Sequence, residues 1–433
     1  MRVSIPTLAL LAATTATASY VLEDDYSSSS FASMFDFYTG ADPTNGYVNY
    51  ITQDEAQSSG LYKIDNGAVY MGVDSTNVAS GSGRDSIRIS SKKSYNHGLI
   101  ILDLAHMPAG ACGTWPAFWL LGPDWPYSGE IDIIEGVNSQ TTNNMAMHTD
   151  SGCSITNTGA FSGSLETANC DVNAADQATN AGCSIRSGDS SSFGSGFNSD
   201  NGGVYATEWT SEAISIWFFP RGGIPADISS GNPDPSGWGL PQGQFTGGCD
   251  IDDKVKNQQL VFDVTFCGDW AGNVWSTDAT CSSQGSTCQA FVQNNPSAFQ
   301  DTYWLINSLK VYTANGAATQ TTGQSTTAAV TSGNAGSTAN PTSEATTPIS
   351  STLQTAYTTT AVVTTAPVET ATTPATTAPA VTATQASAVT GSWGNSGSWN
   401  TAGGSGWGQG SSGWSGWTGR GGGGGRPWGR RWF

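Results

Sequence analysis

Positive charge is scarce in this chain. Fifteen Lys and Arg stand against 34 Asp and Glu, only three histidines are present, and the net charge is −19. Nearly all of the imbalance lies between residues 20 and 313, where 32 acidic side chains face 10 basic ones. A domain so acidic repels nucleic acid and anionic lipid and suits a neutral or cationic partner. No internal apolar run approaches the ~18 to 20 residues of a membrane span, so none is expected. Long stretches with a 3.6-residue apolar period are missing too, which argues against a helical bundle. There is no CxxC pair, HExxH helix, GxSxG elbow or Gly-rich phosphate loop, so zinc, serine-nucleophile and nucleotide chemistry lack their usual carriers. Neither a metal nor a cofactor is expected. The N-x-S/T sequon is also absent, so any glycan should be O-linked.

What is present begins with MRVSIPTLALLAATTATASY. A charged start at Arg2, a short apolar segment around Leu8 to Ala13 and the small-residue exit Ala16-Thr17-Ala18 predict a secretory signal over residues 1–19. An uncleaved anchor is the rival reading, and the apolar part is too short for it. Eight cysteines (Cys112, Cys153, Cys170, Cys183, Cys249, Cys267, Cys281 and Cys288) fit an exported protein held by disulfides. Eight cysteines allow about 105 full pairings, and the sequence does not choose among them.

Composition divides the rest. Residues 20–313 mix apolar, aromatic and turn-forming residues, enough for one large globular domain, expected to be monomeric. Residues 314–390 are dominated by Thr, Ser, Ala and Pro, which reads as an extended, O-glycosylated stalk. Residues 391–433 are Gly, Ser and Trp with a basic end, RGGGGGRPWGRRWF, and read as a disordered tail. The tail's indoles and arginines are candidates for contact with cell-wall polysaccharide.

Within the globular part, GAVYMGVD, DSIRISS, GLIILDLAH, EAISIWFFP, QQLVFDVTF and YWLINSLKVYT are short, rich in β-branched and aromatic residues, and bounded by turn formers. They predict an all-β sandwich or barrel. One strand is anomalous. SGEIDIIEGVN sets Glu130, Asp132 and Glu135 among Ile131, Ile133 and Ile134. Alternation puts Glu130 and Asp132 on one face and Ile131 and Ile133 on the other, with Glu135 one residue out of phase. A β-bulge near Ile133 or Ile134 would bring Glu135 back to the face of Glu130. Such a row suits a retaining glycosidase, which needs two carboxyls about 5 to 5.5 Å apart, one to attack and one to protonate. Asp132 between them would couple to both.

The segment GEIDIIEG resembles the ExDxxE signature of glycoside hydrolase family sixteen, the laminarinase-like glucanases. DPTNGYVNY, SKKSYNHGLIILDLAHMP, CGTWPAFWLLGPDWP and CGDWAGNVW resemble its fungal mixed-linked glucanase branch, over roughly residues 22–312. The resemblance implies a curved β-jelly-roll sandwich with a groove on its concave face, and retaining endo-hydrolysis of β-1,3 or mixed β-1,3/1,4-glucans. It matches Glu130 to the nucleophile, Glu135 to the general acid/base, Asp132 to the assisting carboxylate and His148 to a histidine beside the site. A cell-wall glucan transglycosylase would use the same carboxylates. A non-catalytic glucan-binding wall protein would have no need of all three. Sugar rings stack on indoles, so Trp125 and Trp270 are expected in the cleft, with Trp115, Trp119 and Trp275 as further candidates and core packing as the alternative for each.

Overall fold

The computed structural model describes residues 19–156 and 159–314. The expected signal segment, stalk and tail therefore lie outside the described residues, except for Ser19 and Ala314. The segments expected to be strands are strands, and they build the β-jelly-roll sandwich: two eight-stranded sheets stacked on each other. Helices among the described residues are short turns, up to the seven residues of Cys288–Asn294, and none is long and apolar enough to cross a membrane.

The sheet that carries the carboxylates contains β1 (Phe35–Phe37), β2 (Arg88–Tyr95), β3 (Thr114–Leu121), β4 (Glu130–Glu135), β5 (Asn144–His148), β6 (Ser164–Thr167), β7 (Cys183–Arg186) and β8 (Gln258–Phe266). Its order is β6–β7–β5–β4–β3–β8–β2–β1, antiparallel throughout. The second sheet is centred on Gly98–His106, which lies between Gly203–Trp209 and Tyr303–Ala314.

The core fills the space between the sheets. Phe118 and Leu120 of β3, Ile131 and Ile133 of β4, Met145 and Met147 of β5 and Phe262 of β8 meet Ile100, Leu102 and Leu104 of the opposite sheet. Ile131, Ile133 and Ile134 are fully buried, each contributing on the order of 1.5–3 kcal/mol. That anchorage fixes the strand whose other face bears charge.

All eight cysteines are paired, as Cys112–Cys281, Cys153–Cys249, Cys170–Cys183 and Cys267–Cys288. Two of these bonds fasten the long loops that follow β5. The other two tie the segment after β8 back to the loop before β3 and to the helix at Cys288. Both groups of loops flank the carboxylate strand, and each disulfide closes a loop worth about 2–4 kcal/mol of stability.

Candidate active site

Glycine brackets β4 at both ends. Gly129 has φ +76°, and a Cβ there would meet the Lys254 carbonyl; a Cβ on Gly136 would strike the Phe193 ring. Between them the strand loses its register. Glu130 and Asp132 pair with Leu121 and Trp119 of β3, whereas Glu135 pairs with Ala117, with a shift between Asp132 and Ile134. The same irregularity appears against β5, between Asp132 and Glu135. The expected bulge is present, and it carries Glu135 to the face of Glu130 and Asp132, opposite the isoleucines.

A bulge frees backbone groups that must be satisfied. The Glu135 N–H donates to Oδ1 of Asn143 at 2.9 Å, and Nδ2 of Asn143 donates to the Ile133 carbonyl at 2.7 Å. Asn143 is fully buried.

The carboxylates are poorly hydrated. Asp132 is 2% exposed and Glu135 8%. Burial first, and then the charge of Asp132, pushes both Glu130 and Glu135 up to about 8. Burial, followed by Asp263, holds Asp132 well above the usual carboxylate range. Like charges this close cannot all ionise, so the cluster retains protons. Trp115 opposes this: its Nε1 donates to Oε1 of Glu135 at 2.8 Å and lowers that group. His148, directly across from Glu130 on β5, sets its Nε2 3.3 Å from Oδ2 of Asp132 and 3.9 Å from Oε1 of Glu130. These three side chains offer ligand atoms within 4.8 Å of one another.

The tryptophans divide. Trp115 contacts Glu135 directly and packs edge-to-face against Trp270 at 5.6 Å, which sets Trp270 next to the indole that touches the carboxylate. Trp119 pairs with Asp132 across the sheet and donates its Nε1 to Oδ2 of Asp263 at 3.2 Å. Trp125 stands half-buried on the loop into β4, before a cis bond to Pro126. Trp275 corrects the expectation. It is 3% exposed, its N–H is taken by the Gly285 carbonyl at 3.0 Å and its ring packs on Phe291, so it is a core residue.

Another group extends the site along the sheet. Arg88 on β2 places Nη1 3.9 Å from both Asp42 and Asp263, with its guanidinium 5.1 Å from the Trp119 ring and 5.0 Å from that of Tyr38. Burial pushes Asp263 up to about 7, against the pull of Arg88. Asp263 in QQLVFDVTF is the same anomaly as the carboxylates of β4, a lone charge in an apolar strand. Nothing comparable in the sequence marks Asn143.

Two antiparallel sheets with a bulged carboxylate strand across one outer face define a jelly-roll domain built for saccharide chemistry. The family model described as "XgeA-like, catalytic GH16 domain" matches residues 35–312, and the chain belongs to this branch of glycoside hydrolase family sixteen. An endo-1,3(4)-beta-glucanase of Arthroderma benhamiae is 53% identical over 297 residues, covering 68% of this chain and 65% of that protein. The chain thus spans just under two thirds of that relative's length. Among solved structures, an elongating family 16 β-1,3-glucosyltransferase is 45% identical with a TM-score of 0.64. Laminarinase 16A from Phanerochaete chrysosporium, solved with 6-O-glucosyl-laminaritriose in donor and acceptor sites, is 40% identical with a TM-score of 0.64. Each match covers 68% of this chain and all of the other.

Proposed function

We propose that the protein is a secreted endo-β-glucanase that cleaves internal linkages of β-1,3- or mixed β-1,3/1,4-glucans with retention. The observation that carries this reading is the bulge in β4, which sets Glu130, Asp132 and Glu135 on one face with the Trp115 N–H on Glu135. Glu130 attacks the anomeric carbon, and the leaving oxygen takes the proton of Glu135. A glycosyl ester on Glu130 results. Glu135, now ionised, removes a proton from water, which hydrolyses the ester and regenerates both groups. Asp132 takes or releases charge between them, and His148 offers it an imidazole partner. Trp115 and Trp270 supply apolar surface to sugar rings, while Trp119 is positioned through Asp263.

Export is supported by the pairing of all eight cysteines, which suits an oxidising compartment. Seven tryptophans and four arginines in 391–433 are the candidate wall-binding element. Removing them should reduce pull-down on insoluble glucan without changing turnover of soluble glucan.

The test is incubation with laminarin and with barley-type mixed glucan, following reducing ends and the anomeric configuration of the first product. New reducing ends in the β-configuration support the reading; binding without cleavage removes it. A second reading, transfer of the glycosyl group to a sugar, is favoured by the likeness to a glucosyltransferase. Products longer than the substrate at high oligosaccharide concentration would mark it.

A further inference from the structure

The face of Glu130 also has the makings of a metal site. His148 Nε2 lies 3.3 Å from Oδ2 of Asp132 and 3.9 Å from Oε1 of Glu130. Tetrahedral zinc with nitrogen and oxygen ligands at about 2.0–2.2 Å requires neighbouring ligand atoms roughly 3.3–3.6 Å apart. Small side-chain shifts therefore suffice, and Glu130, the most exposed of the three, is the one able to make them. A second observation points the same way. Oδ2 of Asp132 is enclosed, in a residue 2% exposed, and accepts no hydrogen bond, the His148 imidazole 3.3 Å away lying out of line for one. Once that carboxyl loses its proton, a buried oxygen without a donor is costly, and a cation in contact with it offsets the cost.

We propose that Glu130, Asp132 and His148 bind one borderline-soft divalent cation of the zinc class, and that glucan and cation exclude each other. A mixed imidazole and carboxylate set favours zinc or copper over calcium and magnesium, which prefer six or more oxygens. The acidic domain, 32 carboxylates against 10 cations, concentrates such ions near its surface. The site is of moderate affinity. Nδ1 of His148 is enclosed without an acceptor, so the outer hydrogen bond that usually tightens a metal-bound histidine is lacking. Three protein ligands leave the fourth position open, and the cation occupies the oxygen with which Glu130 attacks. Binding stands on geometry alone; the competition rests on the proposed role of Glu130.

The experiment is calorimetric titration of the chelator-treated, full-length protein with zinc chloride near pH 7, followed by the same titration with calcium chloride. One equivalent of zinc is expected, with calcium giving no comparable heat. His148→Asn should weaken binding by more than the roughly 10- to 100-fold that loss of an outer partner costs, and Glu130→Gln should weaken it too, with thermal melts checking that both variants fold. His97 is the control, because it pairs with Asp252 at 2.6 Å; His97→Asn should bind as the parent does. Zinc should raise the KM for laminarin with kcat unchanged, and EDTA should reverse this. Equal binding in folded His148→Asn, or loss of binding in His97→Asn, overturns the site. Binding through His148 that leaves turnover untouched overturns the competition.

Discussion

The side chain of Asn143 holds the backbone of Glu135, its Oδ1 accepting the Glu135 N–H at 2.9 Å. Its Nδ2 closes the other side of the bulge on the Ile133 carbonyl, so one buried amide fixes the register change that turns Glu135 outward. Asn143→Ala leaves two enclosed backbone groups unpaired, at about 1–3 kcal/mol each. It should lower kcat on laminarin by about 100-fold with little change in KM, since misplacing a reacting group by about an ångström costs that much. Asn143→Asp, which keeps the acceptor and loses the donor, should fall between the two. A folded Asn143→Ala variant with normal kcat would show that the bulge does not depend on this clamp.

Trp115 tunes the proposed acid. Its N–H lowers Glu135 against the larger upward effects of burial and Asp132. Trp115→Phe removes the donor together with part of the ring that packs on Trp270, so the Glu135 pKa rises and the basic limb of the pH profile moves to higher pH. Hydrolysis of the glycosyl ester, which needs Glu135 ionised, should slow by about tenfold. A basic limb that stays in place or moves downward contradicts the assignment.

Function here is set against stability. Glu130 goes from an ordinary 4.5 to about 8 on folding. Between those values the native state retains a proton that the unfolded chain has released, so stability falls as pH rises through this window. Glu130→Gln removes that group. It should match the parent near pH 4 and exceed it by a few kcal/mol at pH 8, given about 1.4 kcal/mol per pKa unit. Urea unfolding at the two pH values measures the difference, and a variant no more stable at pH 8 rules the explanation out.

Arg88 answers two buried carboxylates, Asp42 and Asp263. Arg88→Leu removes the countercharge of both, leaving Asp263 the Trp119 N–H and Asp42 its backbone and hydroxyl donors, and should destabilise the domain by about 3–5 kcal/mol. Adding Asp263→Asn should recover part of the loss, because one stranded charge is then gone. A double variant no better than the single one means that Arg88 acts through its stacking on Trp119 and Tyr38 instead.

The architecture was legible wherever a local pattern forces it. In GEIDIIEG the alternation and the out-of-phase glutamate specify a bulged strand, and the isoleucines specify which face is buried. The pairing of Cys112 with Cys281 across 169 residues leaves no local trace. Trp115 and Trp275 look alike in sequence, and what separates them is contact with residues 10 to 20 positions on, which no local pattern announces. Trp275 is enclosed by Phe291 and Gly285, while Trp115 faces Glu135 from the neighbouring strand. Asn143 escaped because an asparagine in NNMAMH carries no pattern; only the bulge gives it a task.

The separate roles of Glu130 and Glu135 are tested most directly by azide trapping with aryl β-glucosides bearing a good leaving group. With Glu135→Ala the ester on Glu130 still forms, and azide should intercept it as the β-glycosyl azide. With Glu130→Ala no ester forms, and direct attack should give the α-azide. Exchanged products would reverse the two roles, and normal laminarin turnover by both variants would contradict the account of the site.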